Sequence, residues 1–87
     1  MIVENLNQIL LKLESVFKSF FKDESIVLKT TTNANDINDW DSFTHMNLMS
    51  EIESQFNIEI PFDVIMDLDS VGDLAAYIHE IQNIKEN

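Results

Sequence analysis

The sequence predicts an all-α protein: a small antiparallel bundle of three longer helices plus one short helix, with a long loop between the first and second helices. Three segments repeat apolar residues at steps of three and four, which is the period of an amphipathic helix. The chain contains one Gly and one Pro, which argues against a turn-rich β fold. Because 87 residues with a 45% apolar fraction suffice for one small core, we predict a single domain over residues 1–87.

The first helix is predicted over residues 2–21, and a loop over residues 22–41 follows it. The apolar stripe of the helix consists of Ile2, Leu6, Ile9, Leu13, Val16 and Phe20, widened by Val3, Leu10, Phe17 and Phe21. The loop loses this period and is rich in Thr, Asn and Asp, which favour turns and caps. The expected anchors of the loop to the core are Ile26, Val27, Leu28, Ile37 and Trp40. A loop of this length is often functional in so small a domain.

Three more helices are predicted. The second spans residues 42–56, with either Asp41 or Ser42 as its N-cap. Its stripe consists of Met46, Leu48, Met49, Ile52 and Phe56. Residues 57–60 alternate like a strand but are too few for a sheet, and Pro61 suits the first turn of a short helix over roughly residues 61–67. Residues 70–73 match a capping box before the last helix, with Asp73 where Glu or Gln is usual. The last stripe consists of Val71, Leu74, Ile78 and Ile81, with Tyr77 beside it.

The net charge of −11 is concentrated in the centre of the chain. Residues 30–84 contain eleven carboxylates and no Lys or Arg, whereas the flanking segments balance five lysines with five carboxylates. Such a field repels nucleic acid and anionic lipid and favours a basic protein partner, although solubility alone is the alternative explanation. No apolar run approaches the ~20 residues of a membrane span, and the first ten residues lack the basic start of a signal peptide. We therefore expect a cytoplasmic monomer with no membrane span and no nucleic acid partner.

The residue pattern does not support self-contained catalysis or metal binding. The chain has no Cys, and His45 and His79 are isolated, which favours surface or boundary positions over metal ligation. A calcium loop starting at Asp67 would place Val71 and Ile78 at positions that require oxygen ligands. His45 follows Ser42 by three residues, yet no oxyanion hole or orienting third group can be assigned. We predict no catalytic residue, no metal site and no enzyme activity.

Ser42 belongs to one of two Asp-Ser pairs, Asp41-Ser42 and Asp69-Ser70, and each pair precedes an apolar-periodic run. The long loop delivers the first pair to a helix start, where free N–H groups and the helix dipole favour a phosphate. A phosphate ester of Ser42 would suit this place. An ordinary N-cap is the alternative, because Asp and Ser are among the commonest caps.

The ordered motifs of residues 39–78 resemble the acyl carrier protein family. The family's serine motif usually reads Asp-Ser-Leu and opens the second helix, which ends in an acidic stretch and Phe. An Ile-x-Ile-Pro turn follows, then a short helix, then a Thr- or Ser-Val-Gly-Asp start to the last helix. Here these motifs read Asp41-Ser42-Phe43, Glu51 to Phe56, Ile58-Glu59-Ile60-Pro61 and Ser70-Val71-Gly72-Asp73.

The resemblance implies that a phosphopantetheinyl transferase attaches 4′-phosphopantetheine to Ser42, while Ser70 is a structural cap. It also implies that Asp41 helps the transferase to bind its magnesium ion, and that Phe43 contacts both the arm and partner enzymes. The thiol of the arm would hold an acyl or aminoacyl group as a thioester. The chain would then be a carrier protein whose partners are an acyl- or aminoacyl-activating ligase and an acyltransferase or condensing enzyme.

The chain departs from the fatty-acid-synthesis type along the second helix. Thr44 and Asn47 stand where that type often carries acids, and Ser54 interrupts the later acidic cluster. We expect partner recognition to involve Thr44, Asn47, Glu51 and Glu53, and we expect the carrier to serve a specialised biosynthetic pathway. The rival interpretation is an acidic helical protein-interaction module in which Ser42 stays unmodified.

Overall fold

The computed structural model describes the backbone of residues 4–86 and the side chains of residues 4–84. It contains four α-helices, which are α1 (Leu6–Phe21), α2 (Ser42–Phe56), α3 (Phe62–Asp67) and α4 (Val71–Glu86). A short 3₁₀ helix, Ala34–Asp36, lies within the loop between α1 and α2. Within the described residues no strand forms, and residues 58–60 have no regular secondary structure. The predicted all-α bundle with a long first loop is therefore confirmed.

Helix α1 begins four residues later than predicted, because Asn5 caps it. The Asn5 side chain accepts a hydrogen bond from the Gln8 N–H (2.8 Å), and the Gln8 side chain accepts one from the Asn5 N–H (2.9 Å). This reciprocal pair satisfies two N–H groups that a helix start leaves unpaired. The predicted stripe residues Ile2 and Val3 lie outside the described residues.

The core lies where α1 packs against α2 and α4. Each helix contributes one buried face, and the loop adds Trp40, whose ring stands edge-on to that of Phe17 with centroids 5.2 Å apart. The fully buried side chains of greatest volume are Ile9, Leu13, Phe17, Leu48, Met49, Ile52, Val71, Leu74 and Ile78. Burial of these apolar surfaces is the main stabilising contribution to the fold.

Three predicted core positions are wrong. Val27 is exposed between its buried neighbours Ile26 and Leu28, so burial in this non-helical segment alternates from one residue to the next. Leu6 is exposed in the first turn of α1, and Met46 is exposed in α2. Met46 lies one turn after Ser42 and lines a surface groove rather than the core.

The first loop is fastened to the start of α4 by backbone hydrogen bonds. The N–H groups of Val71 and Gly72 donate to the carbonyls of Thr32 and Thr30, each at 2.8 Å. The loop comes so close that a Cβ on Gly72 would lie 2.6 Å from the Thr30 oxygen. Glycine is therefore required here by the close approach of two backbones.

The turn between α2 and α3 is held by one carboxylate. Asn57 ends α2 in the left-handed conformation (φ 55°), and Ile58 and Ile60 are then buried against the core. The Glu53 carboxylate accepts a hydrogen bond from the Ile60 N–H at 2.8 Å. Pro61, predicted in the first turn of α3, is the residue that precedes it, and its missing N–H costs nothing there.

Candidate functional site

Asp41, and not Ser42, is the N-cap of α2. Its Oδ1 atom accepts hydrogen bonds from the N–H groups of Phe43 (2.9 Å) and Thr44 (3.1 Å). In the reciprocal hydrogen bond, the Thr44 hydroxyl accepts from the Asp41 N–H at 2.9 Å, which completes a capping box. Every hydrogen bond of the Asp41 carboxylate within the described residues uses Oδ1, so Oδ2 has no protein donor among them.

Ser42 is the first residue of α2, and its side chain is exposed. Across residues 4–84, no hydrogen bond involves its hydroxyl. The hydroxyl of Ser42 therefore has no structural use and is open to an enzyme. Fewer N–H groups in the first turn of α2 are free to bind a phosphate than the sequence suggested, because the Asp41 carboxylate already accepts from two of them.

His45 joins the three elements around Ser42. The Trp40 indole N–H donates to His45 Nδ1 at 2.9 Å, and His45 Nε2 lies 3.0 Å from the Ile65 carbonyl oxygen in α3. An indole N–H can only donate, so Nδ1 is the acceptor and Nε2 carries the proton that it shares with Ile65. The imidazole and indole rings are stacked at 21°. His45 thus connects the loop, the first turn of α2 and the middle of α3.

This arrangement gives His45 a structural position and excludes it as a base for Ser42. Both ring nitrogens are engaged with Trp40 and Ile65, so neither is free to take a proton from the serine hydroxyl. The sequence interpretation treated His45 as an isolated side chain and missed this bridge. The spacing Trp-x₄-His was the available signal, but it acquires meaning only once α3 is placed. The predicted role of Trp40 as a loop anchor is confirmed by its burial.

The surface next to Ser42 is apolar. Phe43, the next residue, is 87% exposed. A groove of about 450 Å³ opens beside Ser42 and is lined by Ala34, Trp40, Asp41, Ser42, His45, Met46, Phe62 and Met66. Exposed Phe and Met side chains that converge in this way are typical of contact surfaces for other molecules.

The residues expected to recognise partners differ in what they already do. Asn47 and Glu51 are exposed on α2. Thr44 is half-buried and donates its hydroxyl to the Asp39 carbonyl at 2.7 Å, and Glu53 holds the Ile60 N–H. Thr44 and Glu53 therefore have structural roles, and a role in partner recognition stays a prediction for all four residues.

The second Asp-Ser pair is arranged differently. The Ser70 hydroxyl accepts from the Asp73 N–H at 3.2 Å, which makes Ser70 the cap of α4. The predicted capping box is incomplete, because the Asp73 carboxylate accepts from the Asp69 N–H (3.2 Å) and not from that of Ser70. The hydroxyl of Ser70 is thus already used by the fold.

The electrostatic surroundings of Ser42 are negative. The exposed carboxylates of Asp39 and Asp41 precede it, and no Lys or Arg occurs between residues 30 and 84. Across the described side chains there is no group of three or more His, Asp or Glu residues placed to hold a metal ion. No helix in the described part of the chain is both long and apolar enough to cross a membrane.

Comparison with known proteins assigns the family. A family profile described as the phosphopantetheine attachment site matches residues 23–78. The solution structure of a holo acyl carrier protein from Geobacter metallireducens is similar, with a TM-score of 0.78 and 38% sequence identity. The similarity covers 88% of this chain and 87% of that one. A search of curated proteins finds no match. The chain belongs to the acyl carrier protein family, and it is a carrier protein with covalent 4′-phosphopantetheine rather than an enzyme.

Proposed function

We propose that Ser42 is the residue that bears the phosphopantetheine arm. The observation that carries this proposal is the hydroxyl of Ser42, which is exposed at the first position of α2 and has no hydrogen bond within the described residues. Ser42 lies inside the segment that matches the attachment-site profile. Ser70 lies there as well, but its hydroxyl is held by Asp73.

The modification requires one bond to form and one to break. The Ser42 Oγ attacks the phosphorus of coenzyme A that bears the pantetheine chain. A serine phosphodiester forms, the pyrophosphate bond breaks and 3′,5′-ADP leaves. The serine proton passes to a base of the transferase, because His45 is engaged on both ring nitrogens. When bound, the arm supplies a terminal thiol that holds an acyl or aminoacyl group as a thioester.

Asp41 has two separable tasks in this proposal. Its Oδ1 atom caps α2 and so fixes the backbone that presents Ser42. Its Oδ2 atom is left to approach the magnesium ion that the transferase brings with coenzyme A, since carboxylate oxygens are preferred ligands of this ion. One side chain thus orients the serine and contributes negative charge beside it.

The test is the intact mass of the chain after incubation with coenzyme A, magnesium and a broad-specificity phosphopantetheinyl transferase. The wild-type chain should gain the mass of one phosphopantetheinyl group, and Ser42→Ala should gain none. Ser70→Ala is the matched control, because it removes the other Asp-Ser hydroxyl, and it should be modified as the wild type is. Modification of Ser42→Ala would refute the assignment.

The proposal extends to partners and setting. Asn47 and Ser54 leave the exposed face of α2 with few charges, which supports a specialised pathway over general fatty acid synthesis. The partners would be an acyl- or aminoacyl-activating ligase that loads the thiol, and an acyltransferase or condensing enzyme that unloads it. The cytoplasm is the proposed location, because coenzyme A, the donor of the arm, is an intracellular metabolite.

A further inference from the structure

The three residues that precede α2 are each hydrogen-bonded to a side chain in the first turn of that helix. The Thr44 hydroxyl binds two of them, because it accepts from the Asp41 N–H at 2.9 Å and donates to the Asp39 carbonyl at 2.7 Å. The third is Trp40, whose indole N–H donates to His45 Nδ1 at 2.9 Å. The chain that leads to the first residue of α2 is thus held from within the helix.

Helix α3 is short and has a single buried side chain. Its start has no side-chain cap, and the buried residue is Ile65. A six-residue helix has little stability of its own, so its position depends on contacts with other elements. Within the described residues, the one side-chain hydrogen bond that another element gives to α3 comes from His45.

The carbonyl that His45 binds has no α-helical partner. If α3 continued, the Asp69 N–H would reach the Ile65 carbonyl oxygen, since α-helical hydrogen bonds join residues four apart. The helix ends at Asp67, and the Asp69 N–H donates instead to the Asp73 carboxylate at 3.2 Å. His45 Nε2 lies 3.0 Å from the Ile65 oxygen and supplies the donor. His45 therefore satisfies a carbonyl that the short helix leaves open.

We propose that His45 is a positioning residue for the modification of Ser42, and that it acts by holding Trp40 and α3 in one arrangement. The inference rests on the proposed function, since it takes Ser42 as the modified residue. The imidazole forms a bridge with one acceptor and one donor, because Nδ1 accepts from Trp40 and Nε2 donates to Ile65. Without the bridge, Trp40 would be a buried donor with no acceptor, and α3 would lose its hydrogen bond to α2. The chain before Ser42 and α3 would then adopt further arrangements, of which only some present the serine.

A smaller population of the presenting arrangement raises the KM for the carrier. The apparent dissociation constant rises in inverse proportion to the fraction of molecules that are competent to bind. At saturating carrier the transferase selects the presenting arrangement, so kcat is unchanged. A general loss of stability acts differently, because it follows the free energy of unfolding and is shared by any substitution that destabilises the fold equally.

The experiment compares His45→Leu with Gln82→Leu as the matched control. The Gln82 side chain is also buried, accepts one hydrogen bond and donates another, and both join it to Glu4. Modification rates are measured at varied carrier concentration with coenzyme A, magnesium and a broad-specificity phosphopantetheinyl transferase. The KM should rise about fivefold in His45→Leu with kcat unchanged, and both constants should keep their wild-type values in Gln82→Leu. Chemical denaturation should show both variants folded, with similar losses in the free energy of unfolding.

Trp40 reports the bridge directly, because it is the only tryptophan of the chain. Its indole N–H gives one NMR resonance, which should move and exchange faster with solvent in His45→Leu and stay in place in Gln82→Leu. Trp40→Phe removes the indole donor and leaves the bond from His45 to Ile65, so it keeps the test possible if His45→Leu does not fold. Its KM should rise about twofold. The double variant should have the KM of His45→Leu, since both substitutions break the same bridge.

The outcomes separate this inference from the proposed function. An unchanged KM in His45→Leu overturns the inference, and so does an equal rise in Gln82→Leu or an indole resonance that does not move in His45→Leu. A lower kcat at unchanged KM also overturns it, because His45 would then act in the chemical step. If His45→Leu is unfolded, an unchanged KM in Trp40→Phe overturns it. A wild-type chain that is never modified overturns the proposed function as well, whereas these results with a wild-type chain modified at Ser42 overturn the inference alone.

Discussion

The two Asp-Ser pairs stand at the starts of two helices, yet they differ by one residue in where the cap lies. At α2 the aspartate caps, so Ser42 is the first helical residue and its hydroxyl is unused. At α4 the serine is the cap, so the Ser70 hydroxyl accepts a hydrogen bond from the Asp73 N–H. The difference teaches that residue types alone do not select a modification site. Whether the aspartate or the serine of the pair caps the helix decides whether the serine hydroxyl is left exposed and unbonded.

The surroundings of the two helix starts reinforce this difference. The start of α4 is closed, because Thr30 and Thr32 of the loop accept from its first two N–H groups. The start of α2 borders an open groove. The same loop thus covers the start of α4 and then leads into Asp41 and Ser42 at the start of α2.

The contact between the loop and the start of α4 depends on Gly72. Of the substitutions considered, Gly72→Ala is expected to have the largest effect on stability. The added methyl would lie 2.6 Å from the Thr30 carbonyl oxygen, and backbone on both sides cannot move freely. Overpacking of this kind costs about 1–3 kcal/mol. Chemical denaturation would measure the loss in free energy of unfolding. The folded fraction should still be modified at Ser42, and a variant as stable as the wild type would show that the loop is not held at α4.

Substitution of Asp41 separates capping from charge. Asn caps about as well as Asp, so Asp41→Asn should keep the free energy of unfolding of the wild type. It removes the negative charge beside Ser42, and the rate of modification should fall by roughly tenfold or more, as for other groups that support a bound metal. Asp41→Ala should lose both the rate and ~0.5–2 kcal/mol of stability. Equal modification rates for Asp41→Asn and the wild type would show that the charge of Asp41 plays no part in modification and that its role is capping alone.

The two serines should respond oppositely to removal of the hydroxyl. Ser70→Ala removes a cap and should cost ~0.5–2 kcal/mol of stability without preventing modification. Ser42→Ala removes an exposed hydroxyl that has no hydrogen bond to the described residues, and it should change stability by less than about 0.5 kcal/mol. Thermal melting of the two unmodified variants would measure both values. A larger loss in Ser42→Ala than in Ser70→Ala would contradict the assignment of the caps.

Much of the fold could be predicted because it depends on local periodicity. The observed bounds of α2, Ser42–Phe56, match the predicted range, since its apolar stripe and its polar start both lie in the sequence. The start of α1 could not be placed by the stripe, because the apolar period of the sequence runs on through Ile2 and Val3 and does not mark the cap that Asn5 forms. That residues 1–87 form one domain stays a prediction.

The parts of the site that the sequence did not predict depend on contacts between distant elements. Either member of Asp41-Ser42 satisfied the rules for an N-cap, and only the positions of the Phe43 and Thr44 N–H groups decided between them. His45 bridges to Ile65, twenty residues away, through a carbonyl that no side-chain pattern reveals. Met46 fitted a helical stripe, but the groove beside Ser42 leaves it exposed.

The smallest expected effect is that of charge on the exposed face of α2 on the binding of partner enzymes. On the face of α2 that continues from Ser42, Asn47, Glu51 and Ser54 are exposed, and only Glu51 is charged. Enzymes that serve acidic carriers would be expected to offer Lys or Arg to this face, and each exposed ion pair is worth ~0.2–1 kcal/mol. Thr44 is better left unchanged, because its hydroxyl belongs to the capping box of Asp41.

The variant Asn47→Glu/Ser54→Glu should therefore be loaded or elongated more efficiently by enzymes of fatty acid synthesis. Two new exposed pairs predict a gain of about 1 kcal/mol, or roughly fivefold in the KM for the carrier. The gain should shrink in 0.5 M salt, because exposed pairs are screened at that ionic strength. The matched control is Asn7→Glu/Ser19→Glu, which adds the same charge to exposed positions of α1 and should leave KM unchanged. Equal KM values for the wild type and the α2 variant would show that charge on this face does not select partners.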